Sequence, residues 1–214
     1  MTLFGPPDVE RLRRKRKVPA LIEALNFVDD QIRAGAAAAL GDVGDPRAVE
    51  PLIIAMRDPW SPAVRRAAAE SLGRFRDARA IPHLVATLGD DWMFVRLAAA
   101  EALAATGEPA LEPVIEALSG VSPTERAMAA VVLGRMRDAR AVQPLLWAAA
   151  DHDADVRLFA VTSLGMLRDV RAIDALVAAL RDNEESVRAA AVDALEHVDD
   201  PRAAAALAAA KRAG

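Results

Sequence analysis

Side chains that could do catalytic or metal chemistry are few and far apart in this sequence. The three histidines are His83, His152 and His197, and there is no cysteine. His152 stands between Asp151 and Asp153, where an aspartate is best explained as the cap of a following helix. The lack of cysteine excludes thiolate metal sites, disulfides and cysteine nucleophiles. The sequence therefore predicts no catalytic residue, metal ion or cofactor, and a protein that is not an enzyme.

The one strong charge cluster is a basic run, which consists of Arg11, Arg13, Arg14, Lys15, Arg16 and Lys17. Such a run could contact RNA, DNA or an acidic protein. It is also typical of the solvated face of a capping helix, which has no further element outside it. We favour the capping helix, because the net charge of −4 gives no general attraction to nucleic acid or anionic membranes.

The composition of the 214 residues predicts an all-α, soluble protein. It is 53% hydrophobic but only 4% aromatic, which favours helices rich in alanine and leucine over a sheet. Charged residues interrupt every apolar run well before the ~18 residues that a membrane span requires. The N-terminus lacks the apolar region of a secretory signal, so we expect a cytoplasmic protein.

A repeat explains most of the sequence. A residue that is usually apolar precedes an arginine at intervals of 30 to 32 residues, and these arginines are Arg33, Arg65, Arg96, Arg126, Arg157 and Arg188. A second marker, an aspartate followed two residues later by an arginine, keeps the same phase, as at Asp45 and Arg47. Because two independent markers share one period, the sequence indicates a repeat array.

Each period contains two helical patterns. Helix A begins at the aspartate, as over 45–56, and helix B begins just before the arginine, near residues 30, 61, 92, 122, 153 and 184. Gly44 and Gly107 suit left-handed caps after helix B, a position that Arg76, Arg137 and Arg168 fill elsewhere. An early proline in helix A, such as Pro51, should bend it.

These residues resemble HEAT repeats of the short type found in phycobilisome lyase subunits, with the signature VRxxAAxALGxxxDxRAxxxL over nearly the whole chain. The resemblance implies a right-handed α-solenoid of about six hairpins plus a terminal helix, which acts as an adaptor. We expect one domain over 1–214, with a basic capping helix at 1–28, stacked repeats at 29–200 and a closing helix at 201–214. Glu125, Ala104 and Glu196 depart from the signature.

Residues that differ between the repeats are the candidates for function. Large apolar side chains collect on one face of the later B helices, which we expect to line a concave groove. The predicted groove residues are Met93, Phe94, Leu97, Glu101, Met128, Val131, Arg135, Leu158, Phe159, Thr162 and Met166. The alternative is that side chains such as Phe159 pack between neighbouring B helices.

We therefore predict a non-catalytic scaffold that binds a protein or peptide in this groove, with a monomer favoured. The alternatives are a phycobilin-lyase-like subunit and a nucleic-acid-binding protein that uses the basic run. HEAT-repeat metal hydroxylases use His-Glu pairs, and none of the three histidines precedes a glutamate.

Overall fold

The computed structural model describes residues 5–213, and the regular structure within them is entirely helical, with 14 α-helices. The predicted class, an all-α solenoid of helical hairpins, is confirmed. The chain forms two compact units, Met1–Ala110 and Leu111–Gly214. One continuous domain over 1–214 stays a prediction. No helix within 5–213 is both long enough and apolar enough to cross a membrane.

The first unit holds three hairpins preceded by a short helix. Its helices are α1 (Val9–Arg14), α2 (Val18–Ala24), α3 (Asp30–Val43), α4 (Val49–Ala55), α5 (Pro62–Phe75), α6 (Ile81–Thr87) and α7 (Met93–Thr106). Helices α2, α4 and α6 are the A helices, and α3, α5 and α7 are the B helices. Helix α5 packs against both α3 and α7. The largest fully buried side chains of this core are leucines, such as Leu40, Leu52, Leu72 and Leu84.

The second unit repeats this plan with three more hairpins and a final helix. Its helices are α8 (Leu111–Ala117), α9 (Pro123–Met136), α10 (Val142–Ala148), α11 (Ala154–Leu167), α12 (Ile173–Ala179), α13 (Glu185–Glu196) and α14 (Pro201–Ala213). The B helix α11 packs against α9 and α13. Leu133, Leu145 and Leu164 are fully buried in this core.

The starts of the six B helices are confirmed to within one residue of the sequence prediction. Four of the five predicted left-handed caps are confirmed, and Gly107 is the exception, because its φ of 77° is combined with a ψ of −142°. Gly44 has a φ of 69°, and Arg76, Arg137 and Arg168 adopt φ values of 51°, 53° and 53°. The turn after helix B therefore imposes a left-handed residue even where no glycine is present.

The predicted capping helix over 1–28 is wrong as a single helix. The described part divides into α1 and α2, and Arg16 between them has a φ of 50°. This is the backbone conformation in which the later B helices end. Helix α1 packs against α3, so it is a shortened B helix that closes the end of the stack.

The A helices are also not continuous. A 3-10 turn, Pro46–Ala48, precedes α4, and the carboxylate of Asp45 accepts a hydrogen bond from the Arg47 N–H at 3.0 Å. Proline does not cause this break, because the 3-10 turn Val170–Ala172 precedes α12, which contains no proline. The break follows from a tight turn in which the carbonyl of the preceding residue, such as Asp45 or Gly107, accepts the N–H three residues later. An aspartate side chain reinforces this turn at Asp45, Asp77, Asp138 and Asp169.

Glycines allow the B helices to approach closely. A Cβ atom on Gly73 of α5 would lie 2.8 Å from the Ala102 Cα of α7, and one on Gly165 of α11 would lie 2.8 Å from the Ala194 Cα of α13. A side chain at either position has no space, since the nearest atoms are the Cα and Cβ of an alanine, which cannot move without its backbone. The repeating glycine is therefore a packing requirement between adjacent B helices.

Gly73→Ala should lower the free energy of unfolding by about 1–3 kcal/mol, because the backbones of α5 and α7 must separate. Urea denaturation followed by circular dichroism measures this change. Gly35→Ala in α3 is the matched control, because its Cβ would meet only Val9 Cγ1 at 3.7 Å. It should raise stability by about 0.5–1 kcal/mol, as alanine favours helix. Equal effects of the two substitutions would contradict the packing role.

A ladder of arginine–aspartate pairs connects consecutive hairpins within each unit. Arg65 donates from Nε and Nη2 to the two oxygens of Asp90, at 2.7 and 3.0 Å, and from Nη1 to the Asp58 carbonyl at 3.0 Å. The same 25-residue spacing joins the other pairs, which are Arg33–Asp58, Arg126–Asp151 and Arg157–Asp182. The repeat arginines are therefore structural, as their presence in every repeat indicates.

The aspartates of this ladder hold their charge. Partial burial raises the pKa of Asp90, but hydrogen bonds from Arg65 and the Trp92 N–H lower it more, so the pKa lies below its ordinary value. A lowered pKa means that the carboxylate stabilises the fold above its unfolded pKa, and that this contribution is lost as the pH falls through the folded pKa.

Arg65→Gln should lower the free energy of unfolding at pH 7 by about 1–3 kcal/mol, because it leaves the Asp90 carboxylate half-buried without its charge partner. The difference from the wild type should shrink below about pH 4, where the carboxylate becomes protonated. Arg47→Gln, which removes an arginine that is 67% exposed, should change stability by less than about 0.5 kcal/mol. Denaturation curves from pH 7 to 3 test both statements, and a pH-independent loss would contradict the charge argument.

Candidate protein-binding surface

The predicted groove residues lie on the B helices, mostly at positions two, three, six and ten after the repeat valine, such as Val95 or Val156. Exposure decides which of these positions can meet a partner. The structure separates them into a buried set and an exposed set.

Position three faces a neighbouring helix. Ala67 and Ala98 are buried at this position, and in α3 it is Gly35 that meets Val9 of α1. Met128 occupies the same position and is only 3% exposed, so its prediction as a groove residue is wrong. Phe159 is half-buried there, which supports the packing alternative for that side chain. Changing Phe159 to a charged residue would therefore disturb the stack itself.

The first unit carries an apolar cluster at the start of α7, which we call the α7 patch: Trp92, Met93, Phe94 and Leu97. These side chains are 52%, 50%, 38% and 37% exposed. The Trp92 and Phe94 rings are 5.6 Å apart and tilted by 43°. The Arg66 guanidinium of α5 lies 5.8 Å from the centre of the Phe94 ring. The aromatic pair is therefore held in place while its outer surface stays open.

An open cavity of about 470 Å³ continues along the B-helix face between α5 and α7. Its floor consists of small residues, Gly73, Ala98, Ala102 and Ala105, and charged residues stand around it, namely Glu70, Arg74, Arg76 and Glu101. The predicted groove residue Glu101 thus lies in a real depression. The floor is shallow because helices that pack through glycine and alanine leave few side chains to fill it.

The second unit presents its own B-helix surface. Met166 of α11 is 44% exposed, Thr162 is exposed, and Leu158 is half-buried. The Thr162 hydroxyl donates to the Leu158 carbonyl at 2.9 Å, so this hydroxyl needs no partner. On α9, Val131 is half-buried and Arg135 is exposed. This surface is smaller and less aromatic than the α7 patch.

The basic run occupies α1 and the turn after it, and its members differ. Arg13 pairs with Glu10 at 2.6 Å and with Asp42 of α3 at 3.1 Å, and Arg16 donates to the Val43 carbonyl at 2.8 Å. These two arginines fasten α1 to the end of α3. The other four cations, Arg11, Arg14, Lys15 and Lys17, are exposed.

The histidines and their neighbouring acids have structural contacts. His83 Nδ1 lies 2.8 Å from Arg57 Nη2, and His197 Nδ1 lies 2.7 Å from the Asp193 carbonyl oxygen. Asp153 caps α11 by accepting from the N–H groups of Asp155 and Val156, as predicted for this segment. Within residues 5–213 no three His, Asp or Glu side chains are grouped so as to hold a metal ion.

Trp92 is the surface residue that sequence reasoning missed. It lies outside the predicted groove residues, whereas in the structure it is the N-cap residue of α7 and joins the apolar cluster. The available signal was its position directly before Met93 and Phe94, which made three consecutive large apolar residues at a helix start.

Stacked A and B hairpins, glycine contacts and an arginine ladder define a helical repeat protein of the solenoid class. Residues 18–104, 50–119 and 111–196 match the family model of HEAT repeats. The chain belongs to the HEAT-repeat family, which confirms the resemblance drawn from the sequence. A comparison with curated proteins finds no match.

Solved structures with a similar fold include enzymes and a binding protein. Human deoxyhypusine hydroxylase is 25% identical, with 89% of this chain and 76% of that chain covered and a TM-score of 0.48. The CpcE–CpcF complex of phycocyanin lyase from Nostoc sp. PCC7120 is 24% identical, with 95% and 84% covered and a TM-score of 0.45. Kap95p, in complex with RanGDP, is 16% identical, with 86% and 30% covered and a TM-score of 0.67.

Proposed function

We propose that this protein is a non-catalytic scaffold that binds another protein or peptide through the exposed side of its B helices. The observation that carries the proposal is the α7 patch, where two aromatic residues, a methionine and a leucine stay exposed in a chain that buries most of its large apolar side chains. Contiguous exposed apolar surface of this kind is a common mark of a protein-binding site.

The chemistry of the patch favours an apolar protein segment. Trp92 and Phe94 offer rigid faces, and the flexible Met93 side chain adapts to the shape of what it contacts. The adjoining cavity between α5 and α7 extends this surface over a floor of alanine and glycine. A helix or extended peptide can place its apolar side chains on the patch and its backbone over the shallow floor.

The α7 patch is the primary site in this proposal, because it is the more exposed and the more aromatic of the two surfaces. The predicted groove residues that would contact the partner at this primary site are Met93, Phe94, Leu97 and Glu101. Val131, Arg135, Leu158, Thr162 and Met166 form a secondary surface on the second unit, where Phe159 supports Leu158 from the half-buried position.

The comparisons support this proposal at the level of the fold. The HEAT-repeat family is shown by three matches along the chain, and Kap95p is an example of a similar fold in complex with another protein, RanGDP. A lyase-subunit role requires residues that handle a bilin, and no residue of this chain matches such a role.

Phe94→Ser combined with Leu97→Ser should weaken binding of the partner by about tenfold or more, which corresponds to about 1.4 kcal/mol or more of lost binding free energy. The partner is first captured from extract of the native cells with the immobilised wild-type protein and then identified by mass spectrometry. Its affinity for the wild type and the variants is then measured by titration with the purified components.

The matched control is Val28→Ser combined with Ile54→Ser, which removes two exposed apolar side chains of the same unit that lie 94% and 70% exposed outside the B-helix face. This control should bind as the wild type does. Thermal unfolding checks that both variants keep their fold. Equal binding by the patch variant and the control would refute the site, and a large loss of stability in the patch variant would show that these side chains serve packing.

A further inference from the structure

The first unit combines an apolar cleft beside α1 with cations that form no ion pair within residues 5–213. An open cavity of about 630 Å³ lies between the N-terminal segment, α1 and α2. Its apolar wall includes Pro6, Leu12, Ala20, Ala24 and Phe27, and Arg11 also borders it.

Four cations lie on α1 and the turn after it, and one of them, Arg11, borders the cleft. Arg11, Arg14, Lys15 and Lys17 are exposed, and no carboxylate within residues 5–213 forms an ion pair with them. Arg13 and Arg16 are used to hold α1, as described above. The free cations therefore represent a local positive surface that the fold itself does not need.

We propose that this end of the protein, which we call the terminal cleft, binds an acidic peptide segment whose apolar side chain enters the cleft while its carboxylates pair with these four cations. Charge complementarity identifies the occupant, and the apolar wall requires that it also carry an apolar group. Asp8 and Glu23 border the cleft as well, but the Asp8 carboxylate already accepts from the Arg11 N–H at 2.9 Å.

The structure favours a peptide over nucleic acid. The free cations span only α1 and the turn after it, a length of about 10 Å at 1.5 Å per residue. Residues 5–110 contain equal numbers of acidic and basic side chains, so the unit offers no extended positive track for a phosphate backbone. A phosphate backbone also has no apolar group that could fill the cleft beside the cations.

The test measures the fluorescence anisotropy of a labelled peptide in which Glu-Glu-Leu-Leu is repeated, titrated with the full-length protein. Arg11→Gln, Arg14→Gln, Lys15→Gln and Lys17→Gln together should weaken binding by about tenfold or more. The charge-matched control neutralises four exposed arginines elsewhere, Arg57, Arg137, Arg168 and Arg181, and should change the affinity by less than about twofold. Arg13 and Arg16 stay unchanged in both, so that α1 remains attached.

Two further probes separate the contributions. A peptide with Ser in place of Leu should bind more weakly to the wild type, and Phe27→Ser should abolish this difference by removing part of the apolar wall. A peptide with Lys in place of Glu should not bind.

Failure of the Glu-Leu peptide to bind, or equal binding by the quadruple variant and its control, would overturn the proposal. Tighter and steeply salt-dependent binding of random duplex DNA, lost in the quadruple variant, would assign the cations to nucleic acid instead. The α7 patch is untouched in every variant, so this outcome is independent of the proposed scaffold function.

Discussion

The bidentate pair between an arginine of one B helix and an aspartate 25 residues later sets the geometry of the repeats. Arg157 shows the arrangement fully: its Nε and Nη2 reach Asp182, while its Nη1 reaches the carbonyls of Asp151 and His152 in its own loop. The aspartate in turn accepts the Glu184 N–H just before the next B helix. One side chain thus fixes a loop, the next hairpin and the start of the next helix, and a change at any of these points affects the others.

Close packing of the B helices follows from the same repeat. It explains why exposed apolar residues on these helices indicate a candidate binding surface. Ser71 of α5 donates to the Ala37 carbonyl of α3 at 2.9 Å, and Ser163 of α11 donates to the Ala130 carbonyl of α9 at 2.8 Å. Small residues at these contacts leave no space that a large side chain could fill. A phenylalanine or methionine on the outer side of a B helix therefore gains little from packing in the stack, and this is why we propose that such side chains meet a partner.

The sequence predicts the parts of the fold that depend on local spacing. The B-helix starts and the left-handed arginine caps each follow from a repeated marker and are confirmed. The division of the first helix at Arg16 depends on a left-handed residue without a glycine signal, and the 3-10 turns depend on a backbone hydrogen bond that an aspartate side chain reinforces in most copies. The ladder partner of each arginine was also missed, because Asp58 and Asp90 lie outside the signature. A regular 25-residue offset was the available signal.

The candidate site is less predictable, because a helical wheel gives the direction of a side chain and not the distance to the next helix. Met128 and Leu97 both fall on the predicted face, but Met128 occupies position three, which the close approach of the B helices buries. Comparing equivalent positions resolves this, since Ala67 and Ala98 are buried at that position in other repeats. The same reasoning applies at the end of the array. Each ladder arginine pairs with an aspartate of the following hairpin, and α1 lies before the first of these arginines. Within residues 5–213, the cations of this segment other than Arg13 and Arg16 therefore form no ion pair with a carboxylate. Surface residues can therefore differ between repeats at the positions that the repeat does not constrain. The α7 patch and the terminal cleft both consist of such positions.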